Sequence, residues 1–423
     1  MKDLRELVDF YIRASNTAVT IFGDAAANTL NGDGTDNGID GGGGNDTIFG
    51  AAGDDLLLGG TGNDTINGGF GRDLLVGGQG NDTIDGGADF DTASYFSAGE
   101  GVHVNLDTNV VIGGVSVGTD TLVSVEGVIG SSFNDTLIGG ANSDVLIGGG
   151  GDDFIQAGIG NDVVWGGEGN DTLIGAAGAD FLEGGAGADV IQGDVFGGAN
   201  AVGDYALYSL SASGVTIDLQ NRIFTGGDAT GDNLINIENV VGSRFADTLS
   251  GDGGVNELDG LAGNDVLDGR GGNDLLIGGA GNDQLSGGTG ADQLFGDAGD
   301  DTLDGGDDND TLNGGIGRDT LLGGNGDDTL DGGLSTDTLT GGAGNDTFVF
   351  ANGEVKGDSI LDFVAGGSED VIQISGFAGL DDFADLTLFQ VGTDVLVKFD
   401  TDDSLLLKNT TVASLTDSDF LFV

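Results

Sequence analysis

The sequence predicts an all-β chain wound as a parallel β-roll, and three observations carry that prediction. A nine-residue unit, Gly-Gly-x-Gly-x-Asp-x-aliphatic-x, recurs 27 times. Its spacing matches neither the 3.6-residue period of an α-helix nor the 3.5 of a coiled coil, so a helix is excluded over the repeats. The composition, with 89 glycines and no proline, suits tight turns joined by uninterrupted strand ladders. Within each unit the glycines at places one, two and four form the turn. The last three residues form a short strand whose middle side chain alone faces inward, and two units make one coil of eighteen residues.

Residues 1–22 come first and read as a capping helix, with Leu4, Leu7, Val8 and Tyr11 on one face and Lys2, Arg5, Asp9 and Arg13 elsewhere. They lack the long apolar run and small-residue cleavage site of a secretory signal, so export through an amino-terminal peptide is not expected. Block one (23–90) opens eight units at Gly23, block two (130–202) seven at Gly130, and block three (242–350) twelve at Gly242. The sixth residue is Asp in 24 of the 27 units, with Asn28, Asn37 and Asn256 as the exceptions, and the eighth is aliphatic in all but Ala93 and Phe348. Two β inserts, 91–129 and 203–241, interrupt the roll as copies of each other, with GVHVNL at Gly101 answered by GVTIDL at Gly214. Alternation turns Val102, Val104 and Leu106 inward and His103 and Asn105 outward, as side strands packed on the roll. Outward places seven and nine carry Leu56, Leu58, Leu74 and Val76, then Ile147 and Trp165, an apolar face expected to be covered by the inserts or the amino-terminal helix. Residues 351–423 leave the pattern and read as a β-rich cap.

The recurring Asp is the chemically informative residue. Stacked coils bring equivalent residues within about 4.8 Å, so the carboxylates form ladders along both edges of the roll. Two such charges about 5 Å apart repel by roughly 3 kcal/mol at an effective dielectric of 20. A counter-ion is needed, and calcium, a hard cation taking six to eight oxygens, suits carboxylates and the carbonyls of glycine turns. A magnesium octahedron is smaller and stricter. With no Cys and only His103, a zinc or copper site of the usual ligand type is excluded.

Composition agrees. The net charge of −61 excludes nucleic acid and anionic membrane surfaces as electrostatic partners. No stretch approaches eighteen apolar residues, so no helical membrane span is predicted. Without cysteine, metal and not disulfide is the staple expected.

From Gly23 to Val423 the chain resembles the RTX proteins, a family of bacterial secreted proteins with this nonapeptide. The resemblance implies a parallel β-roll with calcium between successive turns on the same side, and export through a type I secretion apparatus. Carried onto this sequence, it implies these calcium ligands: Asp46, Asp55, Asp64, Asp73, Asp82 and Asp91 in the first block; Asp135, Asp144, Asp153, Asp162, Asp171, Asp180 and Asp189 in the second; and Asp247, Asp265, Asp274, Asp283, Asp292, Asp301, Asp310, Asp319, Asp328, Asp337 and Asp346 in the third. Weaker or missing sites are expected at Asn28, Asn37 and Asn256. From Asp358, DSILDFVAGGSEDVIQISGF, with DVLVKFD at Asp394 and the closing ASLTDSDFLFV, is similar to the carboxy-terminal cap of serralysin-type metalloproteases. That likeness implies an uncleaved secretion signal, with Asp419, Phe420, Leu421, Phe422 and Val423 fitting its acidic-then-apolar end.

No catalytic residue is assigned. One histidine rules out HExxH. GVSVG at Gly114–Gly118 matches a nucleophile elbow in letters, but His103 precedes Ser116 and aligns with Thr216 in the duplicate. An ordered binding ladder is also not expected, because the third place runs Gly43, Ala52, Thr61, Phe70, Gln79, Ala88. The expected function is therefore a secreted, extracellular, non-catalytic calcium-binding protein that is unfolded in the cytosol and folds outside. A surface-layer, matrix or adhesion protein and an accessory module of a polysaccharide-modifying enzyme stand as alternatives, each with a cell-surface or polysaccharide partner.

Overall fold

The computed structural model describes residues 19–194, 203–366, 370–400 and 403–423. The helix expected in residues 1–22 lies outside the described residues up to position 18. Ile21–Phe22 is a strand, paired in parallel with Gly38–Asp40. The described residues hold strands and four 3-10 turns, and no α-helix. Two compact units result, residues 1–206 with 231–237, and residues 207–230 with 238–423.

In the first unit the nine-residue period sets the register. Thr47–Ala52, Thr65–Phe70 and Thr83–Ala88 stack in one sheet, and Gly38–Asp40, Leu56–Thr61 and Leu74–Gln79 in the other, all parallel and eighteen residues apart. Equivalent residues therefore lie side by side, and Ile48, Leu57, Ile66, Leu75 and Ile84 are completely buried between the sheets. Many strands are six residues long, twice the predicted three. Thr65–Phe70 runs on through the first three residues of the next unit, because the stacked turn gives that backbone partners as well, Ala51 for Gly69 and Ala52 for Phe70.

The second place of the unit needs a left-handed backbone, met by Gly42 at φ 84°. Ala51 and Ala176 hold the same place at φ 84° and 81°. An L-residue there is strained by roughly 1–2 kcal/mol, against about 0.5–1 kcal/mol of extra chain entropy lost by glycine. Ala51→Gly is accordingly expected to stabilise the roll by about 0.5–1 kcal/mol, read as a higher denaturant midpoint in saturating calcium. A lower midpoint would show that the alanine methyl packs usefully.

The first insert is not a side layer on the roll. Thr119–Val123 pairs in parallel with Thr83–Ala88, Val110–Ile112 and His103–Asn105 follow antiparallel, and His103–Asn105 pairs in parallel with Thr136–Ile138. The meander is spliced into the sheet itself. An odd number of antiparallel strands starts and ends in the same direction, so both flanks join parallel neighbours and no buried edge is left unpaired. Val102, Val104 and Leu106 are buried and His103 is exposed, as the alternation predicts. In the second copy, Asn233–Ile235 pairs in parallel with Val190–Asp194 in the first unit. In the second unit, the hairpin Thr216–Asp218 with Ile223–Thr225 pairs in parallel with Thr248–Ser250.

The apolar outer face is covered where it is richest. Leu56, Leu74 and Ile129 form a buried cluster, with Val19, Leu58 and Ile147 packed on it. Trp165 is half-buried.

The second unit repeats the roll. Val266–Gly271, Gln284–Thr289, Thr302–Asp307, Thr320–Asn325 and Thr338–Ala343 stack in one sheet. The facing sheet runs from Glu257–Asp259 to Thr347–Ala351. Beyond the repeats, Val371–Ser375 and then Phe420–Phe422 extend one sheet, and Lys356–Ile360 and Ser404–Leu407 the other. The second of these ends in antiparallel Asp394–Lys398 and Thr387–Val391. Aromatic side chains join the aliphatic ones here: Phe399 lies 5.2 Å from Phe377 and 6.4 Å from Phe350, centroid to centroid.

Candidate metal centre

Each sixth-place aspartate stands where a turn enters a strand, and the geometry there repeats from coil to coil. The Asp46 N–H donates to Asp64 Oδ1 at 2.7 Å and the Asp64 N–H to Asp82 Oδ1 at 2.8 Å. On the opposite edge, Asp55 donates to Asp73 and Asp73 to Asp91, both at 2.9 Å. In the third block, Asp283 donates to Asp301 and Asp301 to Asp319, both at 2.8 Å. All 24 aspartates named from the sequence lie in such ladders or at their ends, each only 0–4 % exposed.

One oxygen of each carboxylate is thus used, and the other is left over. In twenty of the 24, Oδ2 is buried without a hydrogen-bond partner. A buried carboxylate oxygen in that state is costly, so it calls for a cation. The first-place glycine frames the spot. A methyl built on Gly296 would lie 2.6 Å from Asp301 Oδ2 and 2.7 Å from the carbonyl oxygen of Gly314 one coil on. On Gly41 it would lie 2.6 Å from Asp46 Oδ2 and 2.5 Å from the carbonyl oxygen of Gly59. Carboxylate and carbonyl oxygens therefore converge over a cradle that any side chain would fill. No group of three His, Cys, Asp or Glu side chains converges among the described residues. A cation at these places would be held by one or two carboxylates together with backbone carbonyls, a hard all-oxygen donor set that fits calcium.

Three aspartates at block starts differ. The Oδ2 of Asp135, Asp144 and Asp247 accepts the N–H of Ser131, Gly140 and Ser243. The asparagines differ too, each folding its amide back on its own turn. Asn28, Asn37 and Asn256 Oδ1 accept the N–H of Asp24, Asp33 and Asp252.

Burial raises the pKa of most of these carboxyls, in many helped by neighbouring carboxylates and opposed by the backbone N–H they accept. Asp73 and Asp153 are pushed up to about 8, Asp301 and Asp310 to about 7, and Asp162, by burial alone, to about 6. A carboxyl whose folded pKa exceeds its unfolded value favours the roll fully below about pH 4, and that contribution is lost as pH rises through about 6 to 8. The chelated chain is therefore expected to gain β circular-dichroism signal as the pH is lowered from about 8 to about 5. A signal that stays flat or falls over that range would contradict the buried ladder.

Sequence reasoning missed six members of the ladders. Asp82 donates to Asp120, Asp180 to Asp204, Asp189 to Asp232 and Asp337 to Asp358, all at 2.9 Å. Asp91 donates to Glu126 at 3.1 Å and Asp346 to Asp370 at 3.2 Å. The glycines that flag a unit are degraded around these six. What survives is an acid followed two residues later by a buried apolar residue: Leu122, Val128, Ala206, Leu234, Ile360 and Ile372. At the GVSVG segment the Ser116 hydroxyl donates to Glu100 Oε1 at 3.1 Å, and a strand, Thr119–Val123, follows it, so the strand-turn-helix of a nucleophile elbow is not formed.

Comparison with known proteins agrees with the repeat geometry. A sequence model of the RTX calcium-binding nonapeptide repeat (4 copies) matches residues 22–57, 58–93, 129–164, 165–196, 236–267, 250–285, 277–312, 286–321 and 313–348. No curated protein matches the chain. Among 37 matching chains of solved structure is the AlgE6R3 subunit of the Azotobacter vinelandii mannuronan C5-epimerase, 32 % identical, covering 29 % of this chain and 78 % of that one with a TM-score of 0.25. The extracellular lipase LipA of Serratia marcescens is 16 % identical, covering 69 % of this chain and 40 % of that one with a TM-score of 0.22.

Proposed function

The chain belongs to the family of RTX calcium-binding nonapeptide repeat proteins, and on that footing we propose that it is a secreted, non-catalytic calcium-binding protein that folds when it meets external calcium. The observation that carries this reading is the row of buried, unpartnered Oδ2 atoms along the ladders. Calcium, when bound, supplies the positive charge that lets those carboxylates remain buried and ionised. The sixth-place aspartates hold it, and the first-place glycines leave it room.

Energetics favour a switch. At a site dissociation constant near 0.1 mM, millimolar calcium stabilises by about 1.4 kcal/mol per site, and ten sites give about 14 kcal/mol. At submicromolar cytosolic calcium that contribution vanishes, and a chain carrying −61 charges stays extended by self-repulsion. An extended chain suits passage through a type I secretion apparatus, and folding outside opposes return. Asp419 and Phe420, read from the sequence as part of a secretion signal, are buried in the folded cap, where Gly366 N–H donates to Asp419 Oδ1 at 2.9 Å.

The test is export of the chain from cells carrying such an apparatus, with external calcium either millimolar or chelated. Faster release with calcium, and a released protein that resists protease only with calcium, is expected. Export rates insensitive to external calcium would remove the folding-driven step.

A further inference from the structure

The first insert holds a nine-residue segment, Val115–Val123, that lies outside every stretch matched by the repeat model and carries no glycine in its first two places. Its backbone nevertheless stacks on the last coil of the first block as a repeat would. Thr121 and Leu122 pair with Thr83 and Ile84, as Thr83 and Ile84 pair with Thr65 and Ile66 one coil earlier. The Thr121 N–H donates to the Asp82 carbonyl at 2.8 Å, matching Thr83 to Asp64 at 2.9 Å. The Thr119 N–H donates to Asn81 Oδ1 at 2.9 Å, matching Asn81 to Asn63 at 3.0 Å. Gly118, in the fourth place, has the left-handed φ of 90° used by fourth-place glycines such as Gly44 at 97°.

The sixth place is Asp120. Its Oδ1 accepts the Asp82 N–H at 2.9 Å, and its Oδ2 is unpartnered on a side chain that is 0 % exposed. Asp82, 2 % exposed, brings its own unpartnered Oδ2 to the same ladder. We propose that Val115–Val123 is a concealed ninth repeat of the first block in which Asp120 and Asp82 together hold a calcium ion, so that binding at the end of the roll fastens the spliced meander to it. The duplicate keeps the ladder hydrogen bond and the register: Asp189 N–H donates to Asp232 Oδ1 at 2.9 Å, with Asn233 and Leu234 in register with Val190 and Ile191. One feature distinguishes this site from a regular one. A methyl on the regular first-place Gly59 or Gly68 would meet the carbonyl oxygen of the first-place glycine one coil on, Gly77 or Gly86, whereas the residue in that place one coil on from Gly77 is Val115, which is 95 % exposed. The site is thus open on one side, where water completes the shell, and it binds more weakly than those inside the block.

This inference rests on the calcium reading of the regular ladders, and the experiment separates the two. Calcium bound per full-length chain is measured by equilibrium dialysis for the wild type, Asp120→Asn and Asp64→Asn, with hydrogen exchange followed over residues 101–123 in calcium. Asn keeps the Oδ1 that accepts the Asp82 N–H and removes the charge. Asp120→Asn is expected to lose one bound calcium and to speed exchange in residues 101–123 at least tenfold, leaving exchange beyond residue 130 unchanged. Wild-type calcium content and exchange in Asp120→Asn, alongside a loss in Asp64→Asn, would overturn the concealed site alone. A wild type that binds no calcium would overturn both. Should Asp120→Asn fail to fold, terbium(III) on the wild type decides: the Tyr95 hydroxyl, buried beside Asp120, should sensitise emission that Tyr95→Phe lowers, and emission unchanged by Tyr95→Phe would refute the site.

Discussion

Asp301→Asn is expected to destabilise the calcium-loaded roll by about 3 kcal/mol and to leave the chelated chain unchanged or more stable. Asp301 accepts the N–H of Asp283 and donates its own to Asp319, so it stands between two stacked sites of the third block. Losing both removes about twice the 1.4 kcal/mol assigned to one site at millimolar calcium. In chelator the same substitution removes one negative charge from a column of like charges, which relieves repulsion. The denaturant midpoint in calcium measures the first effect and the β signal of the chelated chain the second. A loss of the same size when calcium is made limiting would mean that the carboxylate acts by packing or hydrogen bonding, and not through a cation.

Gly296→Ala is expected to be as damaging, for a steric reason. The added methyl would sit 2.6 Å from Asp301 Oδ2 and 2.7 Å from the Gly314 carbonyl oxygen, closer than a Cβ can rest. Relaxing that overlap costs roughly 1–3 kcal/mol by itself, and the cradle for the cation is filled. Because the two substitutions share a site, the double variant should lose distinctly less than the sum of the singles. Strict additivity in the thermodynamic cycle would show that Gly296 and Asp301 serve separate purposes.

The roll was legible in the sequence because a strict nine-residue period leaves one solution. Ile66 and Leu303 had to face inward if every eighth place was apolar, and both are buried as read. The column of aspartates was legible for the same reason, together with the repulsion that makes a cation necessary. The splice of the first insert was not. Alternation at Val102, Val104 and Leu106 identifies a strand with one buried face, but it carries no information about the neighbour that strand will take. Asp120 escaped for a related reason: the pattern leaned on glycine, and at Val115 and Ser116 the chain keeps the path of a repeat without the glycines. An acid followed two residues later by an apolar side chain would have found Asp120, Asp232 and Asp358, at the cost of many false matches in a chain with 72 acidic residues.

Calcium, not the aliphatic column alone, is expected to drive the roll together. The decisive measurement is a calcium titration of the full chain, purified in chelator at neutral pH and followed by far-ultraviolet circular dichroism, with magnesium as control. A cooperative gain of β signal at about millimolar calcium, absent with magnesium, is the predicted result. A fully folded β spectrum in chelator at neutral pH, unchanged by calcium, would contradict it, because the aliphatic column would then hold the roll without any cation.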